Sequence, residues 1–139
     1  MMPIYQSERI TPDNVTKLLD KQVFVFGSNL SGRHGKGAAK TALSFGAKWG
    51  QAKGLQGRTY GIPTKDAAIK RVLNINEIKP FVDEFIEFAK VNESLIFLVT
   101  EIGCGLAGYK PKDIAPLFQE ALDVKNILMP KRFWHKLIS

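Results

Sequence analysis

Uninterrupted apolar runs along the chain predict the strands of a sheet. Residues 23–26 (VFVF) and 94–100 (SLIFLVT) contain almost no polar positions, which is typical of strands buried on both faces. A shorter run precedes Pro63, which we expect to end its strand because proline has no N–H to donate. The predicted strands cover residues 23–26, 59–63, 94–100 and 126–129, with an edge strand at Ile4 and Tyr5.

Apolar residues at helical spacing predict helices between these strands. We expect Asn76 and Asp113 to be N-caps, since their short polar side chains can accept a hydrogen bond from the first helical turn. Phe133 and Trp134 are expected to dock a terminal helix on the rest of the protein. The predicted helices cover residues 36–47, 76–91, 113–122 and 131–136, with a short helix that opens at Thr11 and carries Val15, Leu18 and Leu19.

The alternation of strands and helices predicts the fold class. It favours an α/β protein, a three-layer α/β/α sandwich with a mixed central sheet. The 139 residues suffice for one such domain, covering residues 1–139, and are too few for two ordinary ones. Ligands of sheets of this kind gather at the carboxyl ends of the strands, so the loops that follow the strands are the first places to look for a site.

Two of these loops are rich in glycine. The loop after the first strand contains Gly32, Gly35 and Gly37 and leads into a helix, and the stretch 101–108 (EIGCGLAG) follows another buried strand. Glycine lets the backbone approach a ligand closely, and the unpaired N–H groups at a helix start attract anions. The loops therefore predict a phosphate-binding site, with tight turns that bind nothing as the alternative.

Charge and composition narrow the classes of function. The net charge is +7, and residues 21–65 hold eight basic residues and no acidic ones. Such a segment attracts the phosphates of a nucleotide or of a nucleic acid, unless it is only a solvated face. No apolar run is long enough to span a membrane, and the N-terminus lacks the pattern of a signal peptide, so we expect a cytoplasmic protein with no membrane partner.

Metal and cofactor chemistry is not predicted. Cys104 is the one cysteine, which excludes an internal disulfide and a cysteine-cluster metal site. No spacing of metal ligands is present, and the first glycine loop lacks the lysine-serine or lysine-threonine ending of a P-loop. We therefore expect neither a metal ion nor a cofactor.

Three motifs together resemble the macrodomain superfamily, whose members bind ADP-ribose between two phosphate-cradling loops. FGSN at 26–29 with GRHGKGAA at 32–39 resembles the first loop of the family, and IGCGL at 102–106 resembles the second. The second motif is similar to that of terminal ADP-ribose protein glycohydrolases. IPTKD at 62–66 resembles the lysine-bearing strand end of those enzymes and of antitoxin macrodomains that act on DNA. Overall the chain is most similar to short bacterial and phage-associated macro-like proteins.

The resemblance implies a set of site residues. Lys65 carries over as the nucleophile of a glycohydrolase. The implied partner is ADP-ribose, free or attached to protein or nucleic acid. The ligand contacts predicted from the loops and the resemblance are Gly27, Ser28, Asn29, Gly32, His34, Gly35, Gly37, Gly103, Cys104, Gly105, Leu106, Gly108 and Tyr109.

The chain also departs from the family pattern. Ala107 stands where the protein glycohydrolases have the aspartate that works with the lysine, so we expect turnover, where it exists, to be weak. Asp66 and Glu101 are the acids that can replace it, although Asp66 is equally a turn residue. The early aspartate that reads the adenine amino group is not recognisable, because residues 23–26 are wholly apolar.

For four side chains the sequence allows either a contact with a ligand or a purely structural role. His34 contacts a phosphate or ribose hydroxyl, or is simply exposed. Tyr109 stacks on a base or covers the crevice, or packs in the core, and Trp49 is expected to be a packing anchor rather than a stacking platform. Cys104 is interpreted as a small residue in a tight loop, since thiol catalysis needs a histidine partner that no motif supplies.

Three functions remain open from the sequence. A binder of ADP-ribose or a related nucleotide needs only the two loops. A hydrolase that removes ADP-ribose from protein or nucleic acid also needs Lys65 and an acid. A nucleic-acid-binding module without catalysis needs only the basic face, and its affinity would fall steeply with salt.

Overall fold

A mixed five-stranded sheet forms the centre of the computed structural model, which describes residues 9–138. The strand order is β2-β3-β1-β4-β5, in which β3, β1, β4 and β5 run parallel and β2 is antiparallel at one edge. The predicted α/β class and mixed sheet are confirmed. The strands are β1 (Gln22–Asn29), β2 (Gly54–Gln56), β3 (Thr59–Lys65), β4 (Ile96–Val99) and β5 (Ile127–Leu128).

Within the described residues, four α-helices and one 3₁₀ segment accompany the sheet. The helices predicted over residues 36–47, 76–91 and 131–136 are each present, with boundaries shifted by a few residues. Within residues 9–138, no helix is both long enough and apolar enough to cross a membrane. The helices are α1 (Gly37–Ser44), α2 (Ile75–Val91), α3 (Pro111–Ile114) and α4 (Lys131–Ile138), and the 3₁₀ segment is Ala115–Asp123.

Strand β1 is buried on both faces, as its apolar sequence predicts. Successive side chains of a strand point to opposite faces. Val23 and Val25 therefore join the main hydrophobic cluster, which includes α2, the 3₁₀ segment and α4. Phe24 and Phe26 join a smaller cluster with alanines of α1. Because β1 also pairs with β3 on one side and β4 on the other, its carboxyl end is fixed in position.

Helix α2 begins two residues earlier than predicted. Asn74, rather than Asn76, is the N-cap, and it forms a capping box with Glu77 in which each side chain accepts a bond from the other's backbone N–H. Arg71 also pairs with Glu77 and lowers the pKa of that carboxyl to about 2. The apolar stripe faces the main cluster as predicted, and Pro80 is tolerated inside the helix.

The helix predicted to open at Thr11 does not form. Instead, Ile10 makes a parallel bridge with Met129, and the Thr11 N–H donates to the Met129 carbonyl at 2.9 Å. These long-range bonds extend the sheet beside β5. Thr11 is therefore part of the sheet edge and does not cap a helix. Leu19 is 61% exposed, whereas Val15 and Leu18 are partly buried against the smaller cluster, so only part of the predicted apolar set packs. The edge strand predicted at Ile4 and Tyr5 lies outside the described residues.

The helix predicted over residues 113–122 begins earlier and is not a regular α-helix. Asp113 lies in its first turn and accepts from the Lys110 N–H at 2.9 Å, rather than preceding the helix as a cap. After Ile114 the chain continues in 3₁₀ conformation, and Phe118 leaves helical geometry at φ −98° and ψ 16°. Phe118 is fully buried, so packing in the main cluster decides this backbone.

Pro63 does not end β3, which continues to Lys65. Strand β2 pairs with β3 only from Thr59 to Gly61, so Pro63 lies beyond that pairing and its missing N–H leaves no bond unmade. Trp49 also differs from its prediction, since it is 64% exposed rather than packed. Phe133 and Trp134 are buried in the main cluster and dock α4, as predicted.

Arg9 joins several elements at the β5 edge of the sheet. Its guanidinium donates to the carbonyls of Ala121, Leu122, Val124 and Ile127 at 2.8 to 3.0 Å and lies 4.9 Å from the centre of the Trp134 ring. In return, the indole N–H of Trp134 donates to the Arg9 carbonyl at 2.8 Å. Arg9 is only 7% exposed, so these bonds are shielded from water.

Replacing Arg9 by alanine should lower the free energy of unfolding by about 3 to 5 kcal/mol, because buried carbonyls lose a charged donor. Arg58→Ala is the control, since the exposed Arg58 donates to the single Leu19 carbonyl and should cost under about 1 kcal/mol. Urea unfolding followed by circular dichroism measures both. Equal losses in the two variants would contradict the role given to Arg9.

Candidate functional site

A crevice of about 750 Å³ opens where the carboxyl ends of β1, β3 and β4 meet. Its walls come from the two glycine loops, the start of α1 and the end of β3. The crevice lies at the carboxyl ends of the strands, where we expected a site from the sequence. The crevice is lined by Gly27, Ser28, Asn29, Arg33, Gly35, Lys36, Gly37, Ala38, Ala39, Thr64, Lys65, Ile69, Thr100, Glu101, Ile102, Gly103, Gly105, Leu106 and Ala107.

The first loop is shaped by Asn29. Its side-chain NH₂ donates to the Arg33 carbonyl at 2.8 Å, and its side-chain oxygen accepts from the Arg33 N–H at 2.9 Å and the Ser31 hydroxyl at 2.8 Å. Ser28, the preceding residue, donates its hydroxyl to the Ala52 carbonyl. Both side chains therefore bind the protein's own backbone. Ser28 and Asn29 line the crevice as predicted, but their side chains serve to hold the loop.

The second loop closes against the first. A Cβ on Gly27 would stand 3.4 Å from Ile102 Cγ2, and one on Gly37 would stand 3.8 Å from Leu106 Cδ1. Gly103 has φ +76°, and a Cβ there would lie 3.1 Å from Ile114 Cδ1. A side chain at Gly103 would therefore strain the backbone, whereas Gly35 and Gly105 face open space with ordinary φ.

The start of α1 presents backbone donors to the crevice. The N-cap, Lys36, has an extended backbone, and no side chain caps the helix. The first N–H groups of a helix have no intrahelical partner, and the helix dipole adds partial positive charge there. Gly37, Ala38 and Ala39 line the crevice and carry side chains too small to cover these groups.

Cations surround these donors. Arg33, Lys36 and Lys65 line the crevice, and among the described residues no carboxylate lies within ion-pair distance of any of them. Glu101 is the one acidic residue of the lining. The Arg132 side chain binds both of its carboxylate oxygens, with Nε 2.6 Å from Oε2. The crevice therefore has positive electrostatic potential and favours an anionic ligand.

The structure distinguishes between Asp66 and Glu101, the two acids that the sequence offered as partners of Lys65. Asp66 accepts from the backbone N–H groups of Lys70 and Arg71, which lower its pKa, and it does not line the crevice. It is a turn residue. Glu101 shares the crevice with Lys65, which ends β3 and whose carbonyl accepts from the Leu30 N–H at 2.9 Å. Glu101 is therefore the acid that remains available to Lys65.

Nine of the predicted site residues meet at the crevice, and five do not. Lys65 is brought together with the predicted ligand contacts Gly27, Ser28, Asn29, Gly35, Gly37, Gly103, Gly105 and Leu106. Gly32, His34, Cys104, Gly108 and Tyr109 lie outside the lining.

His34 is buried rather than exposed or directed at a ligand. Its ring is 0% exposed and lies edge-on to Phe26, with centroids 5.2 Å apart. Its Nε2 lies 2.9 Å from the Lys48 carbonyl and 3.1 Å from Gln56 Oε1. Both neighbours are acceptors, so Nε2 carries the proton. Gly32, beside it, has φ +71° and approaches Gln51 so closely that a Cβ would lie 2.5 Å from the Gln51 nitrogen.

The side chains of Cys104 and Tyr109 turn into the main cluster. The Tyr109 hydroxyl donates to the Leu73 carbonyl at 2.5 Å, so the ring packs instead of covering the crevice. Burial, with the nearby Glu101 carboxylate, raises the pKa of the Cys104 thiol to about 11. Gly108 lies past the part of the second loop that lines the crevice, where its φ of +87° turns the chain towards Tyr109.

A second crevice of about 710 Å³ adjoins the first and was missed in the sequence. It shares Ala38, Thr100 and Glu101 with the first crevice and reaches to residues 11–15 and 130–132. The hydroxyl oxygen of Thr11, which is 3% exposed, has no hydrogen-bond partner among the described residues. No local signal marks this crevice, because the long-range pairing of Thr11 with Met129 creates it.

Comparison of the chain with protein-family models, with curated proteins and with solved structures finds no match in any of the three. The interpretation of the crevice therefore depends on its own geometry and chemistry.

Cys104 should react slowly with thiol reagents at neutral pH, because its raised pKa of about 11 leaves almost no thiolate. The rate of reaction with 5,5′-dithiobis(2-nitrobenzoate) should rise steadily from pH 7 to pH 10 without levelling near pH 8.5. The folded thiol holds its proton more tightly than the unfolded one, so its contribution to stability is lost between about pH 9 and pH 11. A plateau of the rate below pH 9 would contradict the burial of this thiol.

Proposed function

We propose that this protein binds ADP-ribose or a related nucleotide derivative in the crevice between its two glycine loops. The observation that carries the proposal is the chemistry of the walls. The polar side chains Ser28, Asn29 and Thr100 bind backbone groups. What remains for a ligand is backbone N–H groups, unpaired cations and a carboxylate held by Arg132. Such walls select an anion, and a diphosphate fits them.

The volumes of the two crevices support an elongated ligand that occupies both of them. Small-molecule sites typically enclose about 300 to 1,000 Å³, and each of the two adjoining crevices falls in that range. They meet at Ala38, close to the uncapped start of α1. In our proposal the diphosphate lies at this junction, where helix N–H groups can bind it. The distal ribose then lies in the first crevice with Lys65, and the nucleoside lies in the second.

Residues of the second crevice supply groups for the nucleoside. Asp13 and Asn14 line it, and their side-chain oxygens can accept from an exocyclic amino group. The apolar strand β1 offers no acid for this role. In our proposal Asp13 or Asn14 takes it, and the buried hydroxyl of Thr11 supplies a further polar contact.

We also propose that the protein is a macrodomain-like three-layer α/β/α sandwich. In support, α1 packs on the face of β1 that carries Phe24 and Phe26, while α2 and α4 pack on the opposite face. The two loops that resemble those of macrodomains also line one crevice.

Hydrolysis of an ADP-ribosyl linkage would add one step to binding. A neutral lysine amine forms a bond to the anomeric carbon of the ribose as the bond from that carbon to the modified group breaks. An acid protonates the departing group, and water then displaces the lysine to release ADP-ribose. Lys65 is the nucleophile of this proposal, and Glu101 is the carboxylate that shares its crevice. Because Arg132 holds both oxygens of Glu101, and Ala107 supplies no second acid, we expect slow turnover.

Replacing Gly35 by valine should weaken ADP-ribose binding by at least about ten-fold, because the side chain would fill the crevice. A Cβ at Gly35 meets no atom within 4 Å and φ is not left-handed, so the melting temperature should change by only a few degrees. Gly105→Val tests the opposite wall in the same way. Isothermal titration calorimetry with ADP-ribose, ADP and NAD measures the affinities, and native affinity in both variants would contradict the proposed site.

Lys65→Ala should abolish release of ADP-ribose while binding is retained, and Ala107→Asp should increase release, since a positioned acid or base is worth about 10² to 10⁴ in rate. Ala107 lines the crevice, so the new carboxylate would face the ligand. Release is measured in parallel from ADP-ribosylated protein and from ADP-ribosylated DNA. Undiminished activity in Lys65→Ala would show that another group is the nucleophile.

A further inference from the structure

Trp49 is an aromatic surface that neither the crevice nor the hydrophobic clusters use. The residue is 64% exposed, whereas the other tryptophan, Trp134, is 1% exposed. Burial of a tryptophan ring removes a large apolar area from water, so an exposed one is a favourable place for a planar partner to bind.

The backbone on both sides of Trp49 is fixed. The Lys48 N–H donates to Gln56 Oε1 at 2.8 Å, and the Lys48 carbonyl accepts from the buried His34 ring at 2.9 Å. On the other side, the Gly50 N–H donates to the Gly32 carbonyl at 2.9 Å. The His34 ring also lies edge-on to the Trp49 ring, with centroids 6.5 Å apart and planes at 74°. A partner that stacks on this ring has little backbone left to order.

An exposed cation adjoins the ring. Lys48 directly precedes Trp49 in the chain. Lys48 is exposed and forms no ion pair with any carboxylate of residues 9–138. Lys53 differs, because Glu84 neutralises it at 3.1 Å. The surface around Trp49 thus combines one flat aromatic face with positive charge that the protein does not balance.

We propose that the Trp49 surface binds single-stranded nucleic acid. One unpaired base stacks on the Trp49 ring, and an adjoining phosphate contacts Lys48. Base stacking on an aromatic side chain together with cations along the backbone is the chemistry by which proteins bind single strands without reading their sequence. A duplex hides its base faces, and an acidic peptide lacks them, so neither uses both features of this surface. This inference does not depend on the proposed function of the crevice.

The direct test is fluorescence anisotropy with a fluorescein-labelled twelve-residue oligothymidylate at low salt. Trp49→Ala should weaken binding by about ten-fold, in line with the 1 to 3 kcal/mol measured per stacked base, and Trp49→Phe should restore part of the loss. Because Trp49 is exposed, these variants should melt within a few degrees of the native protein. Equal affinity of native protein and Trp49→Ala would overturn the proposal.

Charge is tested with a matched pair of variants. Lys48→Glu should weaken binding about ten-fold and make the slope of log K against log salt shallower by about 0.7, the value for one phosphate contact on a single strand. Lys125→Glu makes the same change of charge just before β5, at the amino ends of the parallel strands, and should weaken binding less than three-fold. Equal effects of the two variants would show that only net charge matters and would overturn the assignment to this surface.

Three further measurements separate this surface from its alternatives. Tryptophan emission should fall as the oligonucleotide binds, and the change should be absent in Trp49→Ala. A twelve-base-pair duplex and a twelve-residue oligoglutamate should bind at least ten-fold more weakly than the single strand, and saturating ADP-ribose should leave its binding intact. Equal binding of duplex or peptide, or displacement by ADP-ribose, would overturn the proposal.

Discussion

The burial of β1 on both faces is the constraint on which the rest of the structure depends. Valines of this strand pack in the main cluster and phenylalanines in the smaller one, while β3 and β4 pair along its two edges. None of these contacts can move independently of the others, because interiors are closely packed. The loop after β1 therefore starts from a fixed point, and Gly27 near the end of the strand lies directly opposite the loop after β4.

Several polar side chains near the crevice already have hydrogen-bond partners within the protein, so backbone groups largely define the chemistry of the crevice. Asn29 and Ser28 hold the first loop with their own side chains, and Tyr109 anchors the second loop to Leu73. The thiol of Cys104 is turned inwards and its pKa is raised to about 11, so it offers no nucleophile near neutral pH. Backbone N–H groups and cations remain, and their positions are set by loops that are already ordered. The anion that we propose for this crevice would therefore meet groups that need little rearrangement to bind it.

One short loop connects the crevice with the Trp49 surface. Arg33 lines the crevice, and His34, the next residue, lies under the Trp49 ring and holds the Lys48 carbonyl. Because successive residues of this loop face in opposite directions, any movement of the loop alters both surfaces.

The sequence by itself determined the buried strands, the long amphipathic helix and the glycine loops at the carboxyl ends of the strands. Each of these follows from local patterns, because apolar runs, helical spacing and glycine act over a few residues. Tertiary structure alone decided which loop residues face the crevice, why Thr11 pairs with Met129 instead of capping a helix, and why Trp49 is exposed while His34 is buried. These outcomes depend on partners distant in the chain, such as Gln56 for His34 and Leu73 for Tyr109. The residues next to a side chain in the sequence do not reveal where such distant partners will lie. The direction in which the side chain points is therefore fixed only when the helices and strands pack together.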